Sequence, residues 1–213
     1  MFFKVEGKTP FFLLFSLKTP FFPYGNNIQE GKWLRHTLNV YTSEGSRLKE
    51  EQFKVLKTMS EATARMDINV FAQKVNLTPS QTIQQVQVLA KDGFLHKSGG
   101  GYGITEKGKS VLKAFVPVPE EMGFHFYYGI NQPSEYTAKT LEEFYCFIKQ
   151  VNAGSLEFHL YRGDFENWLK DAYKEPEFAL EIGGIKAAGL KGEELRTELL
   201  KTLDAKYSIK EMM

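Results

Sequence analysis

The sequence predicts a mainly α protein with one small β-hairpin, an α+β chain divided into a basic and an acidic domain. Three observations lead there. Apolar residues recur mostly at the helical spacing i, i+3, i+4, i+7. One glycine run, Gly99 to Gly101, joins two short β-prone segments. The charge balance reverses at Val116-Pro117-Val118-Pro119.

The charge is uneven along a chain of 213 residues with a net charge of only +1. Residues 1–46 hold five basic and three acidic side chains, residues 47–115 eleven and six, and residues 116–213 eleven and seventeen. A balance of +5 beside one of −6 suits a polyanion-binding module joined to a module with another task. Hydrophobic residues at 42% and charged residues at 25% are ordinary for a soluble globular chain. The single cysteine, Cys146, excludes an intramolecular disulfide and fits a reducing cytoplasm. Its place in an apolar helical stretch predicts a buried small hydrophobe.

In chain order, Lys-Thr-Pro-Phe-Phe occurs at 8–12 and again at 18–22. The apolar run Phe11 to Leu17 is far shorter than the roughly 20 residues of a membrane span. Thr19-Pro20-Phe21-Phe22 is no signal-peptide cleavage site. No membrane association is expected, and both an extended segment packed on the domain and a flexible tail stay open. Residues 27–41 form a candidate helix, with Leu34, Leu38 and Tyr41 on one face. Ser43 to Ser46 is a short linker closing the extension 1–46. Leu48 to Thr63 is predicted as a helix that turns Phe53, Leu56, Met59 and Ala62 inward.

Asp67 caps a short helix ending at Val75, and Asn76-Leu77 make a tight turn. Thr78 to Gly93 is a helix with both ends marked: Thr78 and Gln81 as capping box, Pro79 at the first position, Gly93 past the end. Ile83, Val86, Leu89 and Ala90 form its predicted inner face. Gln81, Gln84, Gln85 and Val88 form the outer one. Amides both donate and accept, as an adenine edge requires, and an exposed valine can meet a thymine methyl. Phe94–Lys97 and Tyr102–Thr105 are predicted strands joined flexibly by Ser98 and the three glycines. Thr105 is the expected cap of a further helix.

This order resembles the winged helix-turn-helix domain of prokaryotic transcription regulators. The resemblance rests on Leu77-Thr78-Pro79-Ser80, Leu89 to Leu95, and Tyr102 to Gly108, the last similar to the wing exit of MarR- and PadR-type regulators. It covers residues 47–115. It implies double-stranded DNA as partner, with helix 78–93 in the major groove and wing 94–105 on backbone or minor groove. Base readout is expected from Ser80, Gln81, Gln84, Gln85 and Val88. Backbone or wing contacts are expected from Lys74, Lys91, His96, Lys97, Ser98, Lys107 and Lys109. Such regulators often dimerise through helices outside this core, which makes 27–41 a candidate interface and a homodimer a candidate assembly; a helix that packs on its own domain is an equal alternative. The competing reading is a protein-interaction adaptor using the same fold without DNA.

Beyond the proline-rich connector lies an acidic, mostly helical domain, 116–213, suited to dimerisation, an effector or a protein contact. It is expected to contain a strand at Phe124–Ile130, a Thr140–Glu143 capping box, and apolar stripes on Leu141/Phe144/Tyr145/Ile148, Phe165/Trp168/Leu169/Ala172 and Leu195/Leu199/Leu203. Ser155 to Tyr161 is open between strand and helix. The stretch from Ser155 to Leu169 is similar to a prokaryotic domain family of unknown function, which favours helix there and implies no activity. His125, Glu157, His159 and Asp164 can be gathered on paper into a metal or acid–base site. Asp164 is better explained as a cap and His159 as a partly buried histidine. No catalytic site, metal or cofactor is expected.

Overall fold

The computed structural model describes residues 2–3, 44–62 and 64–213. The candidate helix at 27–41 lies outside them. The chain is mostly helical with small two-stranded antiparallel sheets, an α+β architecture in two compact units divided between Thr105 and Glu106.

In the first unit, α1 (Glu44–Glu61) buries Val55, Leu56 and Met59. It begins inside the segment expected as a linker. β2 (Met66–Asp67) pairs antiparallel with β1 (Phe2–Phe3), a pairing the sequence did not announce. Asp67 then caps α2 (Ile68–Val75) by accepting a hydrogen bond from the Asn69 amide at 2.8 Å. Asn76 ends α2 in the left-handed conformation, φ 57°, and the Leu77 amide reaches back to the Ala72 carbonyl at 3.0 Å. This leads into Thr78 and α3 (Pro79–Lys91).

The Thr78–Gln81 capping box forms as expected, with the Gln81 amide donating to Thr78 Oγ1 and Gln81 Oε1 accepting from the Thr78 amide. The helix ends on Gly93 at φ 80°. The Gly93 amide bonds the Ala90 carbonyl and the Phe94 amide bonds that of Leu89. This Schellman motif sets buried Phe94 over buried Leu89. The hairpin β3 (Leu95–Ser98) and β4 (Gly101–Ile104) pairs Leu95 with Ile104 and Ser98 with Gly101. Only Gly99 and Gly100 turn, at φ 49° and 83°, and positive φ at both central residues is what a type I′ turn demands. The loop is a tight two-residue turn, and Ser98 and Gly101 belong to the strands. Thr105 Oγ1 lies 2.7 Å from the Gly93 carbonyl and 3.0 Å from that of Phe94, tying the end of the hairpin back to the end of α3.

The second unit starts ten residues before the expected boundary. α4 (Glu106–Ala114) packs on α5 (Leu141–Gln150), α9 (Gly192–Tyr207) and α10 (Ile209–Met212), and Ala114 joins this unit's core. The proline-rich connector is bound into the fold. The Val118 amide donates to the Lys139 carbonyl at 2.8 Å, and Tyr173 Oη lies 3.2 Å from the Val116 carbonyl and 3.0 Å from that of Lys139. β5 (Phe124–Gly129) pairs with β6 (Gln132–Ala138), a strand missed because Gln132-Pro133-Ser134-Glu135 lacks β-branched residues.

Helices α5, α6 (Ala153–Arg162), α7 (Asp164–Asp171), α8 (Pro176–Gly184) and α9 follow. α6 resolves the ambiguous Ser155–Tyr161 segment as helix. The centre is aromatic: Phe124 meets Phe126 at 4.8 Å, Phe144 at 5.3 Å and Trp168 at 5.4 Å between centroids, mostly edge to face. Burying each such side chain stabilises by about 1.5–3 kcal/mol.

Candidate nucleic-acid interface

Helix α3 is turned by less than one residue step from the expected orientation, and this redistributes its polar side chains. The buried residues are Thr82, Gln85, Val86 and Leu89, while Ile83, Val88 and Ala90 are half-buried. Two of the inward positions are polar because each finds a partner. Thr82 Oγ1 donates to the Thr78 carbonyl at 2.9 Å, and Gln85 Nε2 donates to Glu51 Oε2 of α1 at 3.2 Å. Gln85 is 4% exposed and therefore does not belong to the outer face. Its Oε1 is buried without a hydrogen-bond partner among the described residues. Val88, half-buried, contributes an edge at most.

The face that reaches solvent is Ser80, Gln84, Gln87 and Lys91, spaced i, i+4, i+7, i+11, with Gln81 beside it. Gln87 was missed in the sequence because its position depends on the exact phase of a helix whose apolar residues, Ile83 through Ala90, spread over more than one face. Gln81 stays exposed, but its carbonyl oxygen also lies 2.8 Å from Thr78 Oγ1 and is committed to the cap. Its Nε2 remains available to donate.

Lys74, Lys91 and Lys97 are exposed and pair with no carboxylate among the described residues. His96, also exposed, lies with its ring over Gly103, where an added Cβ would stand 2.8 Å from Nε2. Ser98 is half-buried in β3. The hairpin tip carries no side chain of its own, and Arg65 Nη2 from the α1–β2 connection donates to the Gly99 carbonyl at 3.2 Å. A guanidinium thus stands at the tip, contributed by a residue 34 positions away that sequence spacing gave no reason to place there. Lys107 and Lys109 belong to the other unit. Lys107 Nζ pairs with Glu211 and Lys109 Nζ with Glu106, both at 2.7 Å, so their charge is locally offset. With the division at Thr105, residues 1–105 carry thirteen basic and eight acidic side chains and residues 106–213 fourteen and eighteen. The opposition of sign persists, at +5 and −4.

The residues gathered on paper in the acidic half separate. Glu157 Oε1 accepts the Gly192 amide at 2.9 Å, at the start of α9. His125 Nδ1 lies 2.9 Å from Thr137 Oγ1 across the hairpin. His159 and Asp164 do meet, Nδ1 to Oδ2 at 2.8 Å, and Arg162 Nε lies 3.2 Å from the same oxygen. Asp164 is thus the partner of a histidine and an arginine, and α7 begins at Gly163 without a side-chain cap.

His159 makes a second hydrogen bond, in which Nε2 accepts the Tyr127 amide at 2.8 Å. Ser155 Oγ, one helical turn earlier, donates to the Tyr127 carbonyl at 2.7 Å. Two side chains of α6 therefore satisfy the outer edge of β5 as a third strand would. The bonding fixes His159 as neutral with its proton on Nδ1, and burial lowers its pKa against the raising effect of Asp164. Both nitrogens are engaged, which leaves none for a metal.

Cys146 is half-buried, with Sγ 3.5 Å from Glu142 Oε1. Burial raises the thiol to about 12 and the Glu142 carboxyl to about 7. Among the described residues no group of three or more His, Cys, Asp or Glu is placed to hold a metal ion, and no helix is long and apolar enough to cross a membrane. Comparison with protein-family models, with curated proteins and with solved structures finds no match.

Proposed function

We propose that the chain is a sequence-specific, double-stranded DNA-binding transcription regulator of the winged helix-turn-helix kind. The carrying observation is the uncharged stripe Ser80–Gln84–Gln87, exposed along α3 and ending on Lys91, which pairs with no carboxylate among the described residues. A helix about 10–12 Å across with its side chains fits a B-form major groove, and glutamine amides bond bidentately to adenine N6 and N7. In this reading Gln84 and Gln87 discriminate bases, Ser80 and the Gln81 amide group assist at the leading end, and Gln85 holds α3 against α1. Lys74, Lys91 and Lys97 hold phosphates. The hairpin is the wing, and Arg65 supplies the cation its glycine tip lacks. No catalytic step or cofactor belongs to this reading. The acidic unit serves an effector, a protein partner or a second copy of the chain, and a homodimer would address half-sites about one helical turn apart.

Selection of bound sequences from a random duplex pool tests it. A regulator enriches a motif, and Gln84→Ala with Gln87→Ala erases part of that motif. A protein-interaction adaptor enriches nothing and is indifferent to both substitutions.

A further inference from the structure

Between the outer edge of β5 and the last turn of α6 lies an open cleft of about 430 Å³, lined by residues of the second unit. Ser155 and His159 close the seam between strand and helix, and the space opens beyond them. Its walls are Phe124, Tyr127 and Phe158, and Ile130 stands at the rim, 74% exposed. Its polar lining includes His125, Asn131 and a pair of opposite charges, exposed Arg162 and half-buried Asp164. Only part of each is used. Asp164 Oδ2 takes both His159 Nδ1 and Arg162 Nε, whereas Oδ1 and both Arg162 Nη atoms have no hydrogen-bond partner among the described residues. The guanidinium carbon lies 4.7 Å from the Phe158 ring centre.

We propose that this cleft binds a small zwitterion with an apolar side chain, an α-amino acid in chemical class. A simple anion would meet the Asp164 carboxylate, and a simple cation the Arg162 guanidinium. A ligand bearing both charged groups on one carbon satisfies both and leaves the ion pair balanced. Its carboxylate takes the Arg162 Nη fork, its ammonium donates to Asp164 Oδ1, and its side chain covers Ile130 and Tyr127. The volume falls within the range of small-ligand sites. The inference concerns the acidic unit alone and does not depend on the DNA reading.

The test is calorimetric titration of the full chain with L-leucine and L-phenylalanine. Isoamylamine, which lacks the carboxylate, and 4-methylpentanoate, which lacks the ammonium, are the controls. At least one amino acid is expected to bind, with both controls weaker by about tenfold or more, because each leaves one charge of the site unanswered. Arg162→Gln and Asp164→Asn should each weaken binding by a similar factor. Ile130→Ser, at an exposed position that folding does not require, should weaken it by a smaller one. Binding of 4-methylpentanoate as tight as that of L-leucine would make this an anion site and overturn the proposal. So would the absence of binding by both amino acids, or binding unchanged in Arg162→Gln and Ile130→Ser.

Discussion

Two adjacent glutamines on α3 have opposite surroundings, and substituting them one at a time separates base reading from packing. Gln84 is exposed, and Gln85 is buried with Nε2 on Glu51 at 3.2 Å and Oε1 without a partner among the described residues. Gln84→Ala removes no internal contact and slightly improves helix propensity, so stability should change by less than about 0.5 kcal/mol. If Gln84 bonds an adenine bidentately, its loss removes about 1–3 kcal/mol of discrimination, roughly 5- to 150-fold at one base position. Gln85→Met reverses the pattern. It forfeits a hydrogen bond to a charged group, about 1.5–3 kcal/mol, and relieves a buried orphan acceptor that costs about 1–3 kcal/mol. The two nearly cancel, and half-buried Glu51 can turn to water, so net stability should stay within about 1 kcal/mol. Base preference should not change. Urea midpoints measure the stabilities, and competition between the selected duplex and single-base variants measures the preference. Equal loss of preference in both variants, or loss only in Gln85→Met, would refute the orientation of α3 from which the interface is drawn.

Other expectations follow from the same structure. His159 is held neutral with a lowered pKa, so below its ordinary value of 6.5 the unfolded chain takes a proton that the folded chain refuses. Its contribution is complete above that pH and declines as pH falls toward the lower folded-state value; urea midpoints at pH 7.5 and 5.5 should differ less in His159→Asn than in the parent. Gly163→Ala forces a side chain onto φ 82° and should cost about 1 kcal/mol by thermal melting. Gly184→Ala, at a helical φ with nothing within 4 Å of the new Cβ, should stabilise by about 0.4–1 kcal/mol. Neutralising Lys74, Lys91 or Lys97 should each reduce the salt slope of duplex binding by about 0.9, whereas Lys109→Gln, which loses a charge already facing Glu106, should change it less.

What could be read in advance was what short-range rules govern. Asp67, Thr78 with Gln81, Thr140 with Glu143, and Gly93 are local signals, and each forms the cap or stop its chemistry implies. The apolar stripe of α9 was legible for the same reason, since Leu195, Leu199 and Leu203 repeat in a single phase. Illegible were features fixed by distant partners. Gln85 is inward because Glu51 waits on α1. β6 forms because β5 offers it an edge, and α4 departs to the second unit because α5, α9 and α10 bury Ala114. Arg65 and Gln87 enter the candidate interface only through a turn and a helical phase that tertiary packing sets. The pairing of His159 with Asp164 needed Gly163 in the left-handed conformation, which swings the start of α7 back across the end of α6.

The proposed contact of exposed cations around an uncharged helical stripe with phosphates is examined most directly by the salt dependence of duplex binding. With Arg65, Lys74, Lys91 and Lys97 in contact, the logarithm of the association constant should fall linearly with the logarithm of salt, at a slope of about −3 to −4 per protomer. A slope near zero on the duplex that binds best, or no measurable duplex binding at low salt, would contradict it.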